Sequence, residues 1–162
     1  MVKKQKIKTK NKISKNTVIG IGIVVVIAAI GGYFWINSLI PVNGTAPLFT
    51  PPTNTFIVAK HSPQDGYVYV SKATTSGKKS VSGGSINPTI YLTKGSAESI
   101  HFINEDNFAH SKHNINIDEF NVHSRDLGYF QTEAITFIAD KEGSFHYYCS
   151  IHPEMKGMVI VE

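Results

Sequence analysis

Between Thr17 and Ile40 the chain reads TVIGIGIVVVIAAIGGYFWINSLI, without one charged side chain. A helix this apolar on every side has no face to turn to water, so it must be buried all round or lie in lipid. Its centre, Val18 to Ile36, is 19 residues long. At about 1.5 Å rise per residue, such a helix approaches the ~30 Å hydrocarbon thickness of a bilayer. Tyr33 and Trp35 fall near its end, where aromatic rings favour the membrane interface. Residues 1–16 before it carry seven lysines and no acid. A cleaved signal peptide has a shorter apolar region and a small-x-small cleavage site, and Asn37-Ser38-Leu39-Ile40-Pro41 offers none. The expectation is a transmembrane helix over 17–40 in a single-pass cell-membrane protein. The basic tail (1–16) would stay cytoplasmic, and everything after Pro41 would be extracytoplasmic.

The chain has 162 residues and a formal charge of +4. Without the tail lysines, nine basic residues face twelve acids, so the exported part is mildly acidic. Nothing in this distribution suggests nucleic-acid binding; the lysines read as a topology signal that also suits anionic lipid. The single cysteine, Cys149, excludes an internal disulfide. Outside the cytoplasm an unpaired thiol is a liability unless it is buried or used.

Residues 41–55, PVNGTAPLFTPPTNT, read as an extended Pro/Thr-rich spacer, with Asn43-Gly44-Thr45 fitting the weak N-glycosylation pattern. From 56 to 162 the pattern is all-β. Short β-branched or aromatic runs recur at 56–59, 67–71, 89–92, 99–103, 114–117, 134–139, 144–148 and 158–161. Turn residues such as Lys94-Gly95 and Lys156-Gly157 separate most of them. In Ser99–Asn104, Ile100, Phe102 and Asn104 oppose Ser99, His101 and Ile103. These runs predict a Greek-key two-sheet β-sandwich, expected to be one monomeric domain over 56–162. The stretch 73–87, ATTSGKKSVSGGSIN, reads as a flexible loop without nameable chemistry.

The cysteine lies in YYCSIHPEM, where C-x2-H-x2-M puts thiolate, imidazole and thioether on one tight turn between two strands. A lone cysteine is more often just a small buried hydrophobe. A soft-metal site would need a fourth ligand from a distant strand, and His113, opening HNINI, is the natural candidate. Two histidines, a thiolate and a weak thioether are the blue-copper electron-transfer set. Met158 competes with Met155, and His110 with His113. The other histidines read as surface or core residues. A binuclear copper centre would need a second cysteine in the loop, and structural zinc sites typically use two or more.

At these residues the chain resembles the cupredoxins, near their amicyanin- and plastocyanin-like members. The family's C-terminal signature, G-x-(aromatic)-x-Y-x-C-[ST]-x-H-x2–4-M-x-G-x-V-x-V, matches Gly143 through Val161. Lys94-Gly95, the strand ending Phe102-Ile103-Asn104, and His113-Asn114 match upstream. The resemblance implies one type 1 copper ion held by His113, Cys149 and His152, with Met155 axial. It implies that Asn114 and Ser150 tie the ligand loops together. Ile151 stands where many relatives have proline, which adds an N–H near the sulfur and leaves the potential open.

The resemblance further implies an electron carrier rather than an enzyme. Extracytoplasmic or membrane redox proteins would dock transiently near His152. Two rivals remain: an open-site copper protein reacting with a small molecule such as nitric oxide, and a metal-free β-sandwich interaction module.

Overall fold

The computed structural model describes residues 14–72 and 84–162. Most of the basic tail and of the 73–87 stretch lies outside them. Helix α1 spans Lys15–Ser38, has no buried residue, and contains an 18-residue stretch with a mean hydropathy of 2.3. It begins and ends two residues before the apolar run. Ser14 caps it, its Oγ accepting from the Thr17 amide at 3.1 Å. By length and composition this helix can cross a membrane.

The chain divides into two compact units after Asn37. The second is a β-sandwich. Its strands are β1 (Thr53–Ser62), β2 (Gly66–Lys72), β3 (Ile90–Leu92), β4 (Ala97–Asn104), β5 (Asn116–Ile117), β6 (Val122–His123), β7 (Thr132–Ile138), β8 (Gly143–Tyr148) and β9 (Lys156–Val161). One sheet runs β2-β1-β4-β7 and the other β3-β9-β8-β5-β6. The β1–β4 and β3–β9 pairs are parallel and the remaining pairs antiparallel.

Period-two alternation builds the core between the sheets. In β4, Glu98, Ile100, Phe102 and Asn104 are buried, whereas His101 and Ile103 are only partly covered. In β9, Val159 and Val161 are buried while Met158 and Ile160 are half-exposed. Phe120, Phe137 and Tyr147 fill the middle.

Three local features depart from the sequence reading. Strand β6 and a 3-10 turn at Asp118–Phe120 are too short to show any periodicity. Strand β5 starts at Asn116 rather than Asn114, because the Ile115 amide donates to Ser124 Oγ instead of a neighbouring strand. The segment expected to be a free spacer is docked where it begins. Pro41 is buried, and the Val42 amide donates to Thr136 O at 2.8 Å. The Asn43 side chain both donates to Ile138 O (2.7 Å) and accepts from the Ile138 amide (2.8 Å). An asparagine amide carries the donor and acceptor of a peptide unit, so Asn43 extends the sheet past the edge strand β7. The nitrogen a glycan would occupy is therefore already engaged. At the other end of the spacer, Thr53–Thr55 belong to β1.

Candidate metal centre

Two loops at one pole of the sandwich build the site. The first follows β4. His113 is fully buried and pairs with Leu127 through two backbone hydrogen bonds, of 3.0 and 2.8 Å. The second joins β8 to β9. There the Cys149 amide donates to Met155 O and the Met155 amide to His152 O, each at 3.0 Å, which closes the turn.

These loops bring together the side chains that the sequence analysis singled out. The ligand atoms of His113, Cys149 and His152 all lie within 4.8 Å of one another. Cys149 Sγ is 3.8 Å from His152 Nδ1, and the two imidazole centroids are 4.6 Å apart. Cys149 and Met155 are buried, and His152 is half-buried. Met155 belongs to the turn beside the cluster, whereas Met158 stands on β9 opposite His146.

Asn114 is the strut between the loops. Its Nδ2 donates to Ser150 Oγ and Asp126 Oδ1, both at 2.7 Å, and its Oδ1 accepts from the Ser150 amide at 2.8 Å. From below, the Tyr69 hydroxyl donates to Asn114 O at 2.6 Å. Burial, and then the neighbouring Cys149 and Tyr147, hold the Tyr69 phenol well above its ordinary value, so it stays neutral.

His113 carries the most telling feature. Its Nδ1 is buried with no hydrogen-bond partner, a costly arrangement unless something fills the position. Its Nε2 faces the carboxylate of Asp106 at 3.4 Å. Burial lowers the His113 pKa, and nearby His152 adds to this; Asp106 opposes it without reversing it. The ring is therefore poised as a neutral imidazole with an unshared lone pair, as metal binding requires. One thiolate, two imidazoles and a buried thioether are the donors of a type 1 copper-like site, and the orphaned nitrogen fits a metal among them.

Two neighbours escaped the sequence reading. Tyr67 lies over both imidazoles, 4.1 Å from the His152 ring and 5.3 Å from the His113 ring. Asp106 lies behind His113. A strand tyrosine and a turn aspartate look the same in sequence whether or not a site adjoins them. The remaining histidines have other company. His61 stacks on Phe108, His101 on Phe56 and His110 on Tyr129. His123 pairs with Asn116, and His146 is exposed.

Residues 55–161 match the model of the cupredoxin-like domain. No curated protein matches the chain. Among solved structures, it is similar to a multicopper oxidase, McoA, from Aquifex aeolicus (20% identity, TM-score 0.46, 70% of this chain and 27% of that one). It is also similar to a copper-containing nitrite reductase from Thermus scotoductus (19%, 0.47, 69% and 28%). A third is auracyanin from Roseiflexus castenholzii (16%, 0.46, 70% and 99%). The chain spans little more than a quarter of the oxidase and reductase chains, and nearly all of auracyanin. Matched over most of its length, with its donor residues gathered at one pole of the sandwich, the chain belongs to the cupredoxin-like domain family.

Proposed function

We propose that this protein is a membrane-anchored type 1 copper protein that carries single electrons between redox partners on the outer face of the membrane. The observation that carries the reading is the buried His113–Cys149–His152 cluster with its partnerless Nδ1. Copper held there would supply a one-electron couple between Cu(I) and Cu(II). The chain's own part is to keep the ligands still. The Asn114–Ser150 strut and the closed turn from Cys149 to Met155 hold the two loops in one arrangement, so little must rearrange when the charge changes. Burial of Cys149 and Met155 keeps water from the sulfur donors.

His152 is the ligand nearest solvent, and we assign it as the electron port. Tyr67 packs on its ring, His61 on Tyr67 and Phe108 on His61. Phe108 and Phe130 leave apolar surface open, at 74% and 72% exposure. Small contacts of this kind suit weak, short-lived redox encounters. In this reading α1 anchors the monomeric domain to the membrane, with the N-terminus cytoplasmic, and raises its effective concentration near partners.

Visible and EPR spectra of the full chain in detergent, loaded with Cu(II), test the proposal. An intense thiolate-to-copper band supports it. Absence of such a band would leave a sandwich with an inert thiol, and binding of azide or nitric oxide at the metal would instead indicate an open-site enzyme.

A further inference from the structure

The loop between β4 and His113 is wrapped around one carboxylate. Asp106 is fully buried (0% exposed). Its Oδ1 accepts from the amides of Phe108 (3.2 Å) and Ala109 (3.0 Å). Its Oδ2 accepts from the Ser111 amide (3.0 Å) and faces His113 Nε2 (3.4 Å). The loop is fastened in turn by Asn104, whose Nδ2 donates to Ser111 O and Leu127 O. Tyr67, in contact with the His113 ring, bonds Ser111 Oγ at 3.0 Å. The side chain that this buried carboxylate faces is the imidazole of His113 itself.

A neutral imidazole has one N–H. On Nε2 it can donate to Asp106, which leaves the lone pair on Nδ1, the atom without a partner. On Nδ1 it would set the Nε2 lone pair against a carboxylate oxygen. We propose that Asp106 is a positioning residue: it fixes the Nδ1-ligating tautomer and orientation of His113 before any metal arrives, and its negative charge lowers the reduction potential of the bound metal. The potential follows from the charge. An anion bonded to the distal N–H makes the ring a stronger donor, and an unneutralised carboxylate in a low-dielectric pocket favours the more positive oxidation state. This inference rests on the copper reading only for its second half.

The test begins with the wild-type full chain in detergent, without metal and with 15N-labelled histidine. Imidazole 15N shifts are expected to show His113 protonated at Nε2 and bare at Nδ1; protonation at Nδ1 would overturn the proposal. In the copper-loaded Asp106→Asn variant the midpoint potential is expected to rise. Cu(II) affinity should fall about tenfold more than Cu(I) affinity, about 59 mV for a one-electron couple. Equal losses for both oxidation states, with the potential unchanged, would show that Asp106 only holds the loop. Should that variant fail to fold, the wild-type tautomer still decides the first half. A type 1 spectrum with His113 protonated at Nδ1 sinks this inference alone, whereas failure to bind copper sinks the proposed function and with it the claim about potential.

Discussion

Gly157 stands opposite Tyr147 in the β8–β9 pair, and the tyrosine ring occupies the space a Cβ at 157 would need. That ring cannot move aside, because it is fully buried and its hydroxyl donates to Pro88 O at 2.7 Å. Gly157→Ala is therefore expected to cost about 1–3 kcal/mol, read as a lower denaturant midpoint at unchanged slope. The glycine of the C-terminal signature is thus a packing requirement of the tyrosine ten residues before it. Met155 calls for a different substitution. Met155→Leu nearly conserves volume and should cost less than about 1.5 kcal/mol, while shifting the visible band of the copper-loaded protein. Cys149→Ser should abolish that band. The candidate ligands Cys149, His152 and Met155 were legible because each is a chemically distinctive residue at a tight spacing. His113, far off in sequence, stood out from His110 only through the resemblance. Asp106 was not legible, since a turn aspartate satisfied by backbone amides is the usual fate of that residue type, and only the fold puts it behind His113.

Strand β4 carries a second buried carboxylate, far from the metal pole. Glu98 is 4% exposed, and one oxygen, Oε2, has no partner; the other accepts from Ser96 Oγ at 2.6 Å. Burial raises its pKa above the ordinary 4.5, and the Ser96 bond only partly offsets this. A raised folded-state value means that the folded chain holds its proton where the unfolded chain has released it. Glu98 therefore favours folding fully below about pH 4.5, and that advantage is lost as pH rises through its folded-state value. Glu98→Gln is expected to raise the melting temperature at pH 7 but not at pH 4, and equal gains at both would count against this account. At this scale the eight predicted runs matched strands to within a few residues, since alternation and turn glycines mark them. The two-residue β6 left no such mark. The inward aspect of Glu98 follows from the register of Ile100 and Phe102, although a glutamate would not by itself announce a core position.

The whole molecule is organised by where the chain enters the sandwich. A spacer composition rich in proline and threonine suggested free chain as far as residue 55, and composition could not reveal that a single asparagine imitates a strand against β7. A fragment beginning at Pro41 keeps this contact and one beginning at Thr45 lacks it. The shorter fragment is expected to melt lower, by the worth of the four hydrogen bonds that Val42 and Asn43 make to Thr136, Ile138 and Asn121, at roughly 1 kcal/mol each. Asn43→Ala in the longer fragment should reproduce about half of the loss. Alkaline carbonate should leave the full chain in the membrane pellet and release the Pro41 fragment. Asn43 grips Ile138, at the end of β7 paired with Ala97, whereas the metal pole adjoins Thr132 and Asn104. Six residues of strand separate these ends, about 20 Å at roughly 3.3 Å each. The clamp thus acts as a strain relief on a cable. A tug on the chain at Pro41 would meet the edge of β7 first, a strand's length away from the candidate donor side chains.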